Sequence, residues 1–88
     1  MKIPKKVKLG GHNYKVKFTV NTGLNEENCA DISRKTDTIY INSSLTKSQQ
    51  EVSFFHEVLH GINNELSEVT IDSLAEQLYA FLKNNKII

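Results

Sequence analysis

Five consecutive residues, His56-Glu57-Val58-Leu59-His60, have types and a spacing that could do metal chemistry. On an α-helix, residues four apart lie about 40° from each other around the axis and roughly one turn apart along it. Two imidazoles placed that way can aim their Nε2 atoms at one ion, about 2.0–2.1 Å from each. Glu57 projects at about 100° to His56, and from there its carboxylate can reach a water that the ion activates. The chemistry this suits is hydrolysis, with Glu57 moving the proton. A plain alternative is a surface helix that happens to carry two histidines. The flanks decide between the two, because the motif must lie inside a helix, face a cleft and have a further ligand downstream.

Catalytic zinc takes three protein ligands and keeps one position open. No histidine follows His60, so the third ligand has to be a carboxylate, from Glu65, Glu68, Asp72 or Glu76. Glu65 and Glu68 lie in or near a polar linker and read as solvated charges. Asp72 and Glu76 share one helix face at i, i+4. Glu76 stands among Ala75, Leu78, Tyr79 and Ala80, a stretch expected to pack on the motif helix, where a carboxylate needs a partner or a metal. Glu76 is therefore the expected third ligand. Asp72 is the alternative, or an acceptor for the far ring nitrogen of a histidine, and the remaining reading is a site with no third protein ligand.

The elements that must position these groups follow from pattern. Residues 5–9 and 14–20 alternate apolar and lysine or polar positions around Gly10-Gly11-His12-Asn13, which predicts an antiparallel hairpin with one core face and His12 exposed at its tip. Residues 21–28 are polar and read as a loop. Residues 29–33 form a weak strand, 34–37 a turn, and 38–42 the strongest β-segment. A helix is predicted over about 46–63, opened by the Thr46/Gln49 capping-box spacing. Its expected buried stripe is Val52, Phe55, Leu59 and Ile62, widened by Phe54 and Val58, with Gly61, Asn63 and Asn64 as stop residues. A second helix over about 67–84 starts at Ser67 and carries Ile71, Leu74, Ala75, Leu78, Phe81 and Leu82 at helical period. The fold expected is one α+β domain over 1–88, a small twisted antiparallel sheet followed by two helices.

Composition is that of a soluble globular chain, 39% apolar and 24% charged. The single cysteine, Cys29, allows no internal disulfide and reads as a small hydrophobe in a reducing compartment. Residues 1–20 hold six lysines and no acid, whereas the remainder holds five basic and ten acidic residues. Lysines alternating with apolar residues are the solvated face of a strand and a guard against edge pairing, so nucleic acid is not an expected partner. No apolar run marks a leader or a membrane span, and the expected location is the cytoplasm.

The segments TIYINSSL, FFHEVLHGI and AEQLYAFL, in that order over about residues 38–82, resemble the smallest gluzincins, and among them the ImmA/IrrE-like metallo-endopeptidases of bacterial phages and mobile elements. The resemblance implies that His56, His60 and Glu76 hold Zn2+, that Glu57 is the general base and acid, and that the substrate is a protein or peptide such as a regulatory repressor. It also implies that the strand over 38–42 rims the cleft and pairs with an extended peptide. Leu59 stands where the family more often has glycine or alanine, and the C-terminal subdomain with which larger zincins build the far wall of the cleft is not expected within residues 1–88. Tyr79 is then the nearby phenol that could stabilise an oxyanion; its other reading is an aromatic at the edge of the core. Against this enzyme stand a zinc-stabilised module that binds protein or nucleic acid without turnover, and a metal-free α+β domain. The presence of Glu57 favours the enzyme, since a purely structural site has no use for it.

Overall fold

The computed structural model describes residues 1–20 and 30–88. β1 (Lys6–Leu9) and β2 (His12–Thr19) pair antiparallel, with Leu9 opposite His12. Between them Gly10 and Gly11 take φ of 57° and 92°, the left-handed pair that a two-residue hairpin turn demands. β3 (Ala30–Ser33) and β4 (Thr38–Asn42) also pair antiparallel, with Ile32 opposite Ile39. Cys29 and the loop read over 21–28 lie outside the described residues.

The strands are ordered β1-β2-β4-β3. The chain passes from β2 to the far side of β4, makes β3, and turns back into the space between. β4 therefore runs parallel to β2, Val16 facing Ile39 and Phe18 facing Ile41. The α+β fold, a small sheet followed by two helices, is the one expected, but the sheet is mixed where an antiparallel one was predicted. Alternation identifies a strand and its faces without naming its neighbour. The interior place of β4 also overturns the role that the resemblance implied for residues 38–42. Both edges of β4 are taken by β2 and β3, so no peptide can add to it.

Leu9, Tyr14, Val16, Ile39 and Ile41 form the core face of the sheet and meet Phe54. Phe18 and Val20 continue the alternation of β2 but are exposed. α1 (Lys47–Ile62) begins with the full capping box. Thr46 Oγ1 accepts from the Gln49 amide at 3.3 Å, and Gln49 Oε1 accepts from the Thr46 amide at 3.0 Å. The helix lies between two layers, with β1, β3 and β4 on one side and α2 (Glu68–Asn84) on the other. This changes which face is buried. Glu51, Ser53, Phe54 and Glu57 are the buried residues of α1, while Val52, Phe55 and Leu59 of the predicted stripe are half-buried and Ile62 is exposed. Phe55 meets Tyr79 of α2 at a ring-centroid distance of 6.2 Å.

Gly61 lies inside α1, and its role is close approach to the sheet, where helix stopping was predicted. A Cβ built there would fall 2.5 Å from Leu9 Cδ1 and 3.2 Å from Ile32 Cδ1. Gly61→Val should lower stability by about 2–3 kcal/mol through overpacking. Urea denaturation measures this, and an unchanged midpoint would refute the close contact.

Ser67 caps α2, its Oγ accepting from the Thr70 amide at 3.2 Å. Among the described elements α2 packs on α1 alone, so one stripe of it is covered by them. Ile71 and Ala75 are buried, whereas Leu74, Leu78 and Phe81, also predicted for the core, are exposed. No described helix is long and apolar enough to cross a membrane.

Candidate metal centre

The short connection after Ile62 folds α2 back along α1. Pairing then runs in opposite directions, bringing residue 68 beside 60 and residue 72 beside 56. His56 and His60, one turn apart on α1, face this second helix with about four-fifths of each side chain covered. Their Nε2 atoms are 3.1 Å apart. Two nitrogens bound to one tetrahedral zinc at 2.0–2.1 Å would be separated by about 3.3 Å, so the imidazoles are set for a shared ion.

Glu68 supplies the third corner. Its Oε2 is 3.4 Å from His56 Nε2, and its Oε1 pairs with His60 Nε2. Asp72 Oδ1 sits 2.9 Å from His56 Nδ1. A proton held on Nδ1 by that carboxylate leaves the Nε2 lone pair free for a metal. Glu76, the ligand expected from sequence, lines the same cleft but is exposed and makes no contact with either imidazole. It stands one helical turn beyond Asp72 on α2. The missed residue is Glu68, which looked like a solvated charge beside a linker. The short linker itself carried the signal, because in an antiparallel helix pair it sets the first turn of the second helix against the last turn of the first.

Glu57 is 4% exposed, accepts no hydrogen bond among the described residues, and approaches His56 Nε2 at 3.7 Å. Burial pushes its carboxyl up to about 8 from 4.5, with further repulsion from Asp31 and then Glu68. A divalent cation at the imidazoles would turn that repulsion into attraction and favour the carboxylate. Two overlapping donor groups exist among the described residues, His56 with Glu57 and His60, and His56 with Glu68 and Asp72. The buried Glu57 is better used as a base, and the near carboxylate of Glu68 as a ligand. Two imidazoles, one carboxylate and an open side on the cleft are a donor set that fits zinc.

The cleft lies between α2 and β3, which contributes Ala30, Asp31 and Ile32, with Arg34 just beyond. β3 has β4 on one side and no neighbour on the other among the described residues. Arg34 Nη2 donates to the His60 carbonyl oxygen at 2.8 Å, tying the β3–β4 turn to the end of α1. Tyr79 lines the cleft from α2, half-buried against Phe55. Comparisons of the chain with protein-family models, with curated proteins and with solved structures gave no match, so the centre is read from its own geometry.

Proposed function

We propose that the chain is a zinc-dependent metallo-endopeptidase of the ImmA/IrrE-like kind, acting on a protein or peptide. The observation that carries this reading is the pair of Nε2 atoms 3.1 Å apart with the Glu68 carboxylate on both, beside a buried Glu57. Zinc, when bound, supplies Lewis acidity to a peptide carbonyl and to the attacking water. His56, His60 and Glu68 hold it, and Asp72 fixes the ring of His56. Glu57 takes the proton from the water as its oxygen bonds to the carbonyl carbon, and delivers it to the amide nitrogen as the C–N bond breaks. Tyr79 offers its hydroxyl to the carbonyl oxygen as charge builds there. The edge of β3 that has no neighbour among the described residues replaces residues 38–42 as the strand for an extended substrate.

A binding module without turnover draws support from the exposed apolar side of α2. It gives no reason for a buried Glu57 next to two imidazoles with no hydrogen bond among the described residues, and the enzyme reading does.

The ligand assignment has a direct test. Glu68→Ala should weaken zinc binding by about 10–100-fold or more, while Glu76→Ala should leave it within about threefold. Competition with a chromophoric chelator measures both. The opposite order would return the third position to Glu76.

A further inference from the structure

We propose that the exposed apolar side of α2 is the contact surface of a symmetric dimer, and that a second copy of this chain covers it. The inference stands apart from the metal centre and goes beyond the endopeptidase reading. Leu74, Leu78 and Phe81 are 44%, 39% and 57% exposed. At 100° per residue they fall within about 60° of one another around the helix. The neighbouring side of α2, with Ile71 and Ala75, is the one buried against α1. On α1 the 65% exposed Ile62 stands about 120–160° round from His56 and His60, on the side of the helix pair away from the metal cleft. None of these four exposed residues lines that cleft, so a copy seated on them leaves it open.

Charge decides the occupant. The charged residues of α2 are Glu68, Asp72, Glu76 and Lys83, and all lie within about 80° of one another, centred about 160° round from the stripe. The positions flanking the stripe on its outer side, Thr70, Ser73, Gln77 and Asn84, are exposed and uncharged. A surface that meets its own copy across a twofold axis brings like charges together, so self-association needs a face without them. A polyanion or a strongly charged protein would find no ion to pair with on this side of α2. The spacing is also nearly symmetric about Leu78. With a twofold axis beside it, antiparallel α2 helices set Leu74 of each copy against Phe81 of the other, and Leu78 against Leu78. The same arrangement brings the start of one helix to the end of the other, and so Ile62 toward Ile87, itself 58% exposed. The open parts of Ile62, Leu74, Leu78 and Phe81 come to about 400 Å². Homodimer interfaces are about 65% apolar, so these residues and a polar rim cover about 600 Å² of each copy, about 1,200 Å² in all. That is the lower end of the range for a specific complex.

The test is sedimentation equilibrium of the full chain, with and without zinc. The mass should climb toward two chains between about 1 μM and about 500 μM in both conditions, as a micromolar Kd requires. Leu78→Glu sets two like charges at the axis and should weaken association by about 100-fold or more. Val69→Glu, at an 80% exposed position on the opposite side of α2, should leave it within about threefold. Cysteine cross-linking reads the same contact without adding a charge that could disturb folding. In a Cys29→Ser background, Leu78→Cys should form a disulfide-linked pair on mild oxidation, and Val69→Cys should not. A single-chain mass at about 500 μM, masses beyond two chains, association untouched by Leu78→Glu, or equal cross-linking of the two cysteine variants would overturn the inference.

Discussion

Glu57→Gln should abolish peptide hydrolysis by about 10²–10⁴-fold, keep zinc, and make the metal-free protein more stable at pH 8. The two effects have one cause. The carboxyl of Glu57 titrates near 8 in the folded chain against an ordinary 4.5, first because it is buried and then because Asp31 and Glu68 repel its charge. The unfolded chain gives up this proton near pH 4.5, and the folded chain holds it until about 8. Between those values the unfolded state binds fewer protons, so rising pH favours unfolding. Stability of the metal-free wild type should fall across that window by at most about 5 kcal/mol and then level off. Glutamine has the same shape and no charge to bury, so the variant should lack that part of the slope. Urea midpoints from pH 5 to 9 in chelator compare the two proteins, and parallel curves would remove Glu57 as the source. The lost turnover is the other face of the same group. Zinc beside Glu57 favours its ionised form, and only that form can accept a proton from water.

His56→Ala should remove both zinc and the stability that zinc confers. His56 is the middle of the site, with Nε2 toward His60 and Glu68 and Nδ1 on Asp72. A ligand present at 100–1,000 times its Kd stabilises the folded state by about 2.7–4.1 kcal/mol. For a domain of this size that corresponds to about 10–25 °C in Tm. The wild type should show this rise between excess chelator and zinc, and His56→Ala should show little of it. A wild type whose Tm ignores zinc would remove the metal centre and the enzyme with it.

The parts of this molecule legible in sequence are those fixed by neighbours along the chain. Gly10-Gly11 fixes a turn through its own φ angles, and Thr46 with Gln49 fixes a helix start through two local hydrogen bonds. His56 and His60 converge because both stand on one helix. What escaped depends on which surfaces meet. The stripe of Val52, Phe55, Leu59 and Ile62 suggested one buried face, but α1 is covered from two sides and its buried residues are Glu51, Ser53, Phe54 and Glu57. Glu76 looked buried because its neighbours are apolar, yet it is exposed and no described element but α1 packs on α2. Glu68 looked solvated because it is exposed, and it is exposed, but the stagger of the helix pair places its carboxylate on the imidazoles. The parallel pairing of β2 with β4 joins residues far apart in the chain, with no local pattern to announce it.

That parallel pairing also sets an order of assembly. His56, His60, Glu68 and Asp72 all come from one short stretch, 56–72, on two helices that meet as a hairpin. Asp31 and Arg34 belong to a strand pair whose place waits on β2 finding β4 across a long sequence separation, and pairing of that kind is slow. The metal can thus be captured by the helical hairpin before the barrier is crossed. Zinc would then speed folding as well as slow unfolding, and the folding limb of a chevron should rise when zinc replaces chelator. A limb that does not move would place metal capture after the sheet.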